Sequence, residues 1–237
     1  MTKICVVADI GVNHNGNVRI ACNLIDAAKR CGADIAKFQL YDVDKLFTPE
    51  WPWYKIVKST QLTYDQVKVL SNYCTSIGIE FMASVFDVER VDWCKDLVKR
   101  YKIASRSIYD KPLIEAICCT GRPIIASLGM WPKWYIPEFP DIKTSATVDY
   151  LYCVSKYPTK LTDLAFDQVD FNKISGFSDH TIGITASLVA ASLGARIIEK
   201  HLTFNRYAIG PDHLCSADPY MLRHLIRHLR DIEIIRR

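Results

Sequence analysis

Two lysines lie inside apolar, strand-like runs: Lys37 in Ile35-Ala36-Lys37-Phe38 and Lys102 in Tyr101-Lys102-Ile103. An unpaired ammonium is costly to bury. Two of them, with hydroxyls close by in sequence, point to a bound anion, most simply a phosphate. Polar groups recur at the ends of such runs. Asp9 closes the first, with Asn13 and His14 beyond it, and Gln39 follows Lys37. Ser84 and Phe86 end the third, and Ser105, Arg106 and Ser107 follow Lys102. Ser127 ends the fifth, Ser155 and Tyr157 the sixth, and the last two end in Ser178-Asp179-His180-Thr181 and Glu199-Lys200-His201. His180 and His201 would meet if their runs are neighbours, and two imidazoles with open positions suit a divalent transition metal. A general-base or packing role is the alternative. Taken singly, a strand-end Ser or Asp179 reads equally well as a helix cap. Phe86 reads as wall packing, and Tyr157 before Pro158 as a turn former.

The elements that must position these groups are eight β-branched runs, at 4–10, 35–40, 80–85, 101–105, 123–127, 148–154, 174–177 and 196–199. Helix-period stretches separate most of them. One places Ile20, Ala21, Leu24, Ile25 and Ala28 on a single face. Another opens with a Thr63/Gln66 capping box and closes at Gly78. The last opens with Asp218-Pro219 and turns Leu222, Leu225, Ile226 and Leu229 inward. Alternation of this kind means a parallel sheet covered by helices. The turn after the first strand, Gly11-Val12-Asn13-His14-Asn15-Gly16, is neither a dinucleotide fingerprint nor a P-loop, which argues against a nucleotide-binding open sheet. The expected fold is α/β, a (β/α)8 TIM barrel forming one catalytic domain over 1–237, with its site at the carboxyl ends of the strands. Prolines at 132, 137 and 140 exclude an ordinary helix at 131–147. An irregular loop is expected there, whose Trp131, Trp134, Tyr135 and Phe139 close over the mouth or plug the gap.

Of the 237 residues 49% are hydrophobic and 24% charged, with a net charge of +4, which suits a globular core and a small anionic ligand. That charge is too weak to argue for nucleic acid, and no apolar run is long enough for a membrane span. Nine cysteines without a CxxC pair read as buried reduced thiols in a cytoplasmic protein.

The stretches ADIGVNHNG, DIAKFQ, YKIAS, ASLGM, YCVSKYPT, GFSDHTIG, ARIIEKHLT and GPDHLCS resemble the N-acetylneuraminate (sialic acid) synthase family in register from about residue 5 to 220. The resemblance implies a metal-dependent, aldol-type condensation of phosphoenolpyruvate with an N-acyl hexose such as N-acetylmannosamine, releasing phosphate. By position, His180 and His201 would hold a divalent ion, Mn2+ in the first instance with Mg2+ or Co2+ as alternatives. Lys37, Ser84, Lys102, Ser105, Arg106, Ser127, Ser155 and Ser178 would bind phosphoenolpyruvate. Asp9, Gln39, Phe86, Tyr157 and Asp212 would face the sugar. His180, His201, Lys37 and Lys102 would be catalytic. The chain departs from the family pattern at Asp9 (usually Glu), Ser84 (Thr), Leu128 (Thr), Ser155 (Asn) and Ser107, where a functional Glu is usual. Arg106 is inserted beside that last position, either to contact phosphate or to point away. The family's C-terminal antifreeze-like domain is expected to be absent, or supplied by a separate chain, and self-association is expected. A non-catalytic metabolite-binding barrel, or a barrel dependent on a partner chain, is the alternative.

Overall fold

The computed structural model describes residues 3–132 and 146–236. Eight parallel strands close into a barrel in chain order: β1 (Cys5–Gly11), β2 (Ile35–Leu40), β3 (Glu80–Val85), β4 (Tyr101–Ile103), β5 (Ile124–Ser127), β6 (Val148–Cys153), β7 (Gly176–Asp179) and β8 (Ile197–His201). The helices are α1 (Val18–Cys31), α2 (Val43–Leu46), α3 (Tyr54–Ser59), α4 (Tyr64–Ile77), α5 (Val88–Cys94), α6 (Lys111–Cys119), α7 (Thr185–Ser192) and α8 (Pro219–Ile235). The expected TIM barrel is what forms.

Local signals act as read. Thr63 and Gln66 close a reciprocal capping box on α4, and Gly78 ends it in the left-handed conformation at φ 72°. Asp218 caps α8 through the Met221 N–H, and Leu222, Leu225, Ile226 and Leu229 are buried. On α1 the buried face is Ala21, Leu24, Ile25 and Ala28, whereas Ile20 lies at its edge and is 36% exposed. All nine cysteines are free and six are buried.

Two expectations need correction. Strand β4 stops at Ile103, and Ser105–Ser107 turn away as a 3-10 helix. The β6–β7 connection carries no α-helix, only 3-10 turns at Leu161–Asp163 and Phe166–Gln168. There the sheet is covered instead by an aromatic cluster, Phe166 packing edge-on against Tyr152 and Phe177, and the Tyr152 hydroxyl accepts from the Ala165 N–H. Most of the proline-rich stretch at 131–147, with Trp134, Tyr135 and Phe139, lies outside the described residues. Trp131 is described and stacks on Tyr109 at 5.0 Å.

Side chains alternate in and out along each strand, and this organises the interior in layers. Val7, Ile35, Met82, Ile125, Leu151 and Ile197 form an apolar cluster of their own. Two residues further along the same strands stand Asp9, Lys37, Ser84, Ser127, Cys153 and Glu199, all buried. Lys102 and Ser178 complete this polar ring from β4 and β7. One more step outward come Gln39, Phe86, Ala104, His180 and His201, which line the opening above the ring.

Candidate active site

The polar ring is a connected charge network. Lys37 Nζ lies 2.7 Å from Asp9 Oδ2 and 3.8 Å from Glu199 Oε2, and donates to Ser84 Oγ at 3.1 Å. Lys102 Nζ donates to Ser127 Oγ at 2.7 Å and lies 3.5 Å from Glu199 Oε1, which also accepts from Ser178 Oγ at 2.8 Å. The lysines are therefore not unpaired, as the sequence suggested. Asp9 from β1 and Glu199 from β8 occupy the same inward layer and balance them two against two. Asp9, expected to face the sugar, is bound into this ring.

The two ammoniums are inequivalent. Burial disfavours the charge on Lys37, but Asp9 and Glu199 overcome it and hold Lys37 above its ordinary value. For Lys102 burial wins, and its pKa is held below normal despite Glu199. Glu199 is buried too, yet Lys102 and Lys37 hold it down at about 2. It stays ionised between them.

The two histidines end adjacent strands, as expected, with ring centres 5.6 Å apart. Two imidazoles on one ion, with metal–nitrogen bonds of about 2.1 Å, place their ring centres at most about 6.5 Å apart. The geometry fits a shared ion. His180 Nδ1 lies 3.0 Å from the Val154 carbonyl and 3.7 Å from Cys153 Sγ. Burial works against a charged His180, but the attraction of a Cys153 thiolate outweighs it and raises the imidazole to about 9, the thiol falling in turn. His201 Nδ1 lies 3.4 Å from Asp9 Oδ2. Among the described residues His201 Nδ1, Asp9 Oδ1 and Glu199 Oε2 are buried without hydrogen-bond partners, so polar capacity converges beside the imidazoles. Among the described residues no group of three or more His, Cys, Asp and Glu is arranged around one point. The chain would thus supply two imidazoles and leave the other positions open. Tyr157 covers the pair, its ring 4.2 Å from His180 and 6.2 Å from His201.

The polar pocket itself is small, about 40 Å³, and opens into a chamber of about 700 Å³. Gln39, Phe86, Ala104, Ser105 and Tyr157 border both. The chamber's far wall was not foreseen. It comes from the segment between β2 and α4, whose Leu46, Phe47, Trp51, Trp53 and Val57 face inward with Tyr41. Asp212 and Ser155 join the chamber rather than the ring, and Ser155 Oγ is buried without a partner among the described residues. Arg106 also borders the chamber. Its guanidinium lies 4.5 Å over the Phe47 ring and donates to the Leu46 carbonyl at 3.2 Å, so it is not brought together with Lys37 and Lys102. Between ring and chamber the backbone comes close: a Cβ on Gly129 would stand 2.5 Å from Ser155 Oγ and 3.0 Å from Ser105 Oγ. Only glycine keeps the Gly129 N–H 3.1 Å from Ser105 Oγ without displacing these hydroxyls.

The most consequential omissions at sequence level are Glu199 and Cys153. Glu199 was visible at the end of its strand but had no role. Counting two back from His201 places it on the same inward face. Cys153 read as core filler, and only its approach to His180 marks it out.

The lysine–carboxylate ring and the histidine pair lie at the carboxyl ends of the barrel strands, where (β/α)8 enzymes carry their active sites. The chain is a member of the NeuB family, whose model matches residues 24–236. It is 34% identical to the N,N'-diacetyllegionaminic acid synthase of Legionella pneumophila, over 97% of this chain and 72% of that protein. It is 31% identical to the N-acetylneuraminate-9-phosphate synthase of Mus musculus, over 96% of this chain and 70% of that one. The crystal structure of the N-acetylneuraminic acid synthetase of Leptospira borgpetersenii, a citrate complex, superposes with a TM-score of 0.88 at 29% identity, covering 99% of this chain and 85% of that one. The chain is thus related to synthases of nonulosonic acids. Among the described residues no helix is long and apolar enough to cross a membrane.

Proposed function

We propose that this protein condenses phosphoenolpyruvate with an N-acylated hexose, N-acetylmannosamine or a relative, to give a nonulosonic acid and phosphate. The observation that carries the reading is the polar ring with two imidazoles one layer above it, set between an apolar floor and a chamber large enough for a sugar.

The ring receives the anion. Lys102 with Ser127 and Lys37 with Ser84 offer ammonium and hydroxyl donors that are already oriented, so little reorganisation accompanies the growth of charge during reaction. Because the lysines are balanced by Asp9 and Glu199, an incoming phosphate or carboxylate exchanges partners with those carboxylates. The polar pocket is too small for the whole substrate, which extends past Ser105 and Gly129 towards the chamber. There the enol C3 would meet the aldehyde carbon of the sugar, forming the new C–C bond. Water adds at C2 of the former enol, and the C–O bond to phosphate breaks with the electron pair leaving on phosphate. A divalent ion held by His180 and His201 would polarise the aldehyde as a Lewis acid. Asp9 Oδ2, 3.4 Å from His201 Nδ1, places a carboxylate beside that imidazole, and Tyr157 excludes water above the pair. Gln39 and Asp212 supply polar contacts to the acceptor.

The test is phosphate release from phosphoenolpyruvate with added Mn2+, with and without N-acetylmannosamine. Release that requires both the acceptor and the metal supports the proposal. Binding of phosphoenolpyruvate without release in the presence of any N-acyl hexose would leave a binding protein and overturn it.

A further inference from the structure

Arg106 carries a charge that the ring does not use. It stands on the 3-10 turn after β4, at the chamber wall. Phe47, beneath its guanidinium, is itself stacked on Trp51 at 3.8 Å and 7°. The exposed guanidinium thus sits over one ring of a stacked pair. One Nη2 hydrogen goes to the Leu46 carbonyl. No carboxylate pairs with Arg106 among the described residues, although Lys156, on the same wall, is paired with Asp163 at 3.1 Å. The remaining donors form an edge suited to bidentate contact with an oxyanion. The anion ring already has its own two cations and does not include Arg106. The chamber that does include Arg106 also holds Asp212, a carboxylate that would repel a misplaced anion and so confine its placement to the Phe47 side.

We infer that Arg106 is a specificity residue that binds an anionic substituent, phosphate or carboxylate, on the acceptor sugar rather than the phosphate of phosphoenolpyruvate. The inference rests on the synthase reading above for the identity of the acceptor, but its central claim concerns binding and does not need turnover.

The experiment compares wild type, Arg106→Lys and Arg106→Gln with N-acetylmannosamine and N-acetylmannosamine 6-phosphate, by kcat/KM and by titration calorimetry. A charge-assisted contact predicts that Arg106→Gln shifts the kcat/KM ratio about 10- to 100-fold towards the uncharged acceptor. Arg106→Lys, which keeps the charge and loses the fork, falls between. Calorimetry should show the same weakening for the 6-phosphate and not for phosphoenolpyruvate. Equal losses for both acceptors would mean that Arg106 merely packs the wall, and would overturn the inference. So would a loss confined to phosphoenolpyruvate. If neither acceptor supports phosphate release, the synthase reading fails, and calorimetry with the 6-phosphate still decides on Arg106. A sugar carrying a carboxylate in place of the phosphate, run in parallel, identifies the oxyanion preferred.

Discussion

Behind the two histidines lies a second, fully buried ion pair. Asp179 and Lys200 are direct neighbours in the β7–β8 register, 3.2 Å apart and wholly excluded from solvent. They point away from the mouth, between His180 and His201 on one side and α7 on the other. Their support is unequal. Asp179 also accepts from the Thr181 N–H and hydroxyl, both at 2.7 Å, and from Ser187 Oγ at 2.6 Å. Among the described residues Lys200 has only the Thr181 carbonyl besides, at 2.5 Å. Asp179→Asn therefore leaves an uncompensated ammonium with the Thr181 carbonyl and an amide oxygen that the Thr181 donors also claim, whereas Lys200→Met leaves a carboxylate with three donors. Breaking a buried pair from one side typically costs about 3–5 kcal/mol. An abandoned lysine limits its cost by losing its proton, at about 4.6 kcal/mol at pH 7 from an ordinary value near 10.4. Asp179→Asn should thus destabilise by about 3–4.5 kcal/mol, and Lys200→Met by about 1–3. At roughly 2–4 °C per kcal/mol for a chain of this size, the first lowers Tm by roughly 6–18 °C. Urea and thermal unfolding of both variants and of the double variant measure this. The double variant should cost less than the sum of the singles. A Lys200→Met penalty equal to or above that of Asp179→Asn would refute the argument from unequal support.

Lys102→Met removes the ammonium on Ser127 and one of the two cations around Glu199. It should weaken phosphoenolpyruvate binding about 10- to 100-fold, read by calorimetry, and unchanged affinity would rule Lys102 out of the anion site. His14 supplies a pH test. Burial pushes its imidazole down to about 4 from 6.5, so below pH 6.5 the unfolded chain takes up a proton that the folded chain refuses. This contribution to stability is complete above pH 6.5 and falls away as the pH drops to 4. Relative to His14→Gln, wild type should lose about 3 kcal/mol between pH 7 and pH 4. Parallel stability curves would contradict the assignment.

Much of the fold was legible because each strand is a short β-branched run bounded by polar groups and because Thr63, Gly78 and Asp218 mark helix ends. What escaped has physical reasons. Tyr101-Lys102-Ile103 is only three residues of strand, too short to show where its alternation stops, so the turn at Ser105 read as more strand. In the β6–β7 crossover the sheet is covered by the contacts of Phe166 with Tyr152 and Phe177 instead of by a helix, and their spacing of 14 and 11 residues carries no helical period. In the site, the approach of His180 to His201 was legible, and the counter-charges of the two lysines were not. A buried lysine in a sequence implies a counter-charge: Asp9 is the register partner of Lys37 on the neighbouring strand, but only barrel closure, joining β1 to β8, brings Glu199 to it. The wall formed by Phe47, Trp51 and Trp53 carries no period from which its facing could be read.

That wall and the ring beneath it are built from different kinds of chain. The ring stands on hydrogen-bonded strands, where moving the register by one residue would turn every inward side chain outward. The wall stands on a connecting segment, which tolerates insertion and exchange far better. Substrate preference in such a barrel can therefore drift while its chemistry stays fixed. The 41–60 segment is thus a unit that could be exchanged between relatives without rebuilding the ring beneath it.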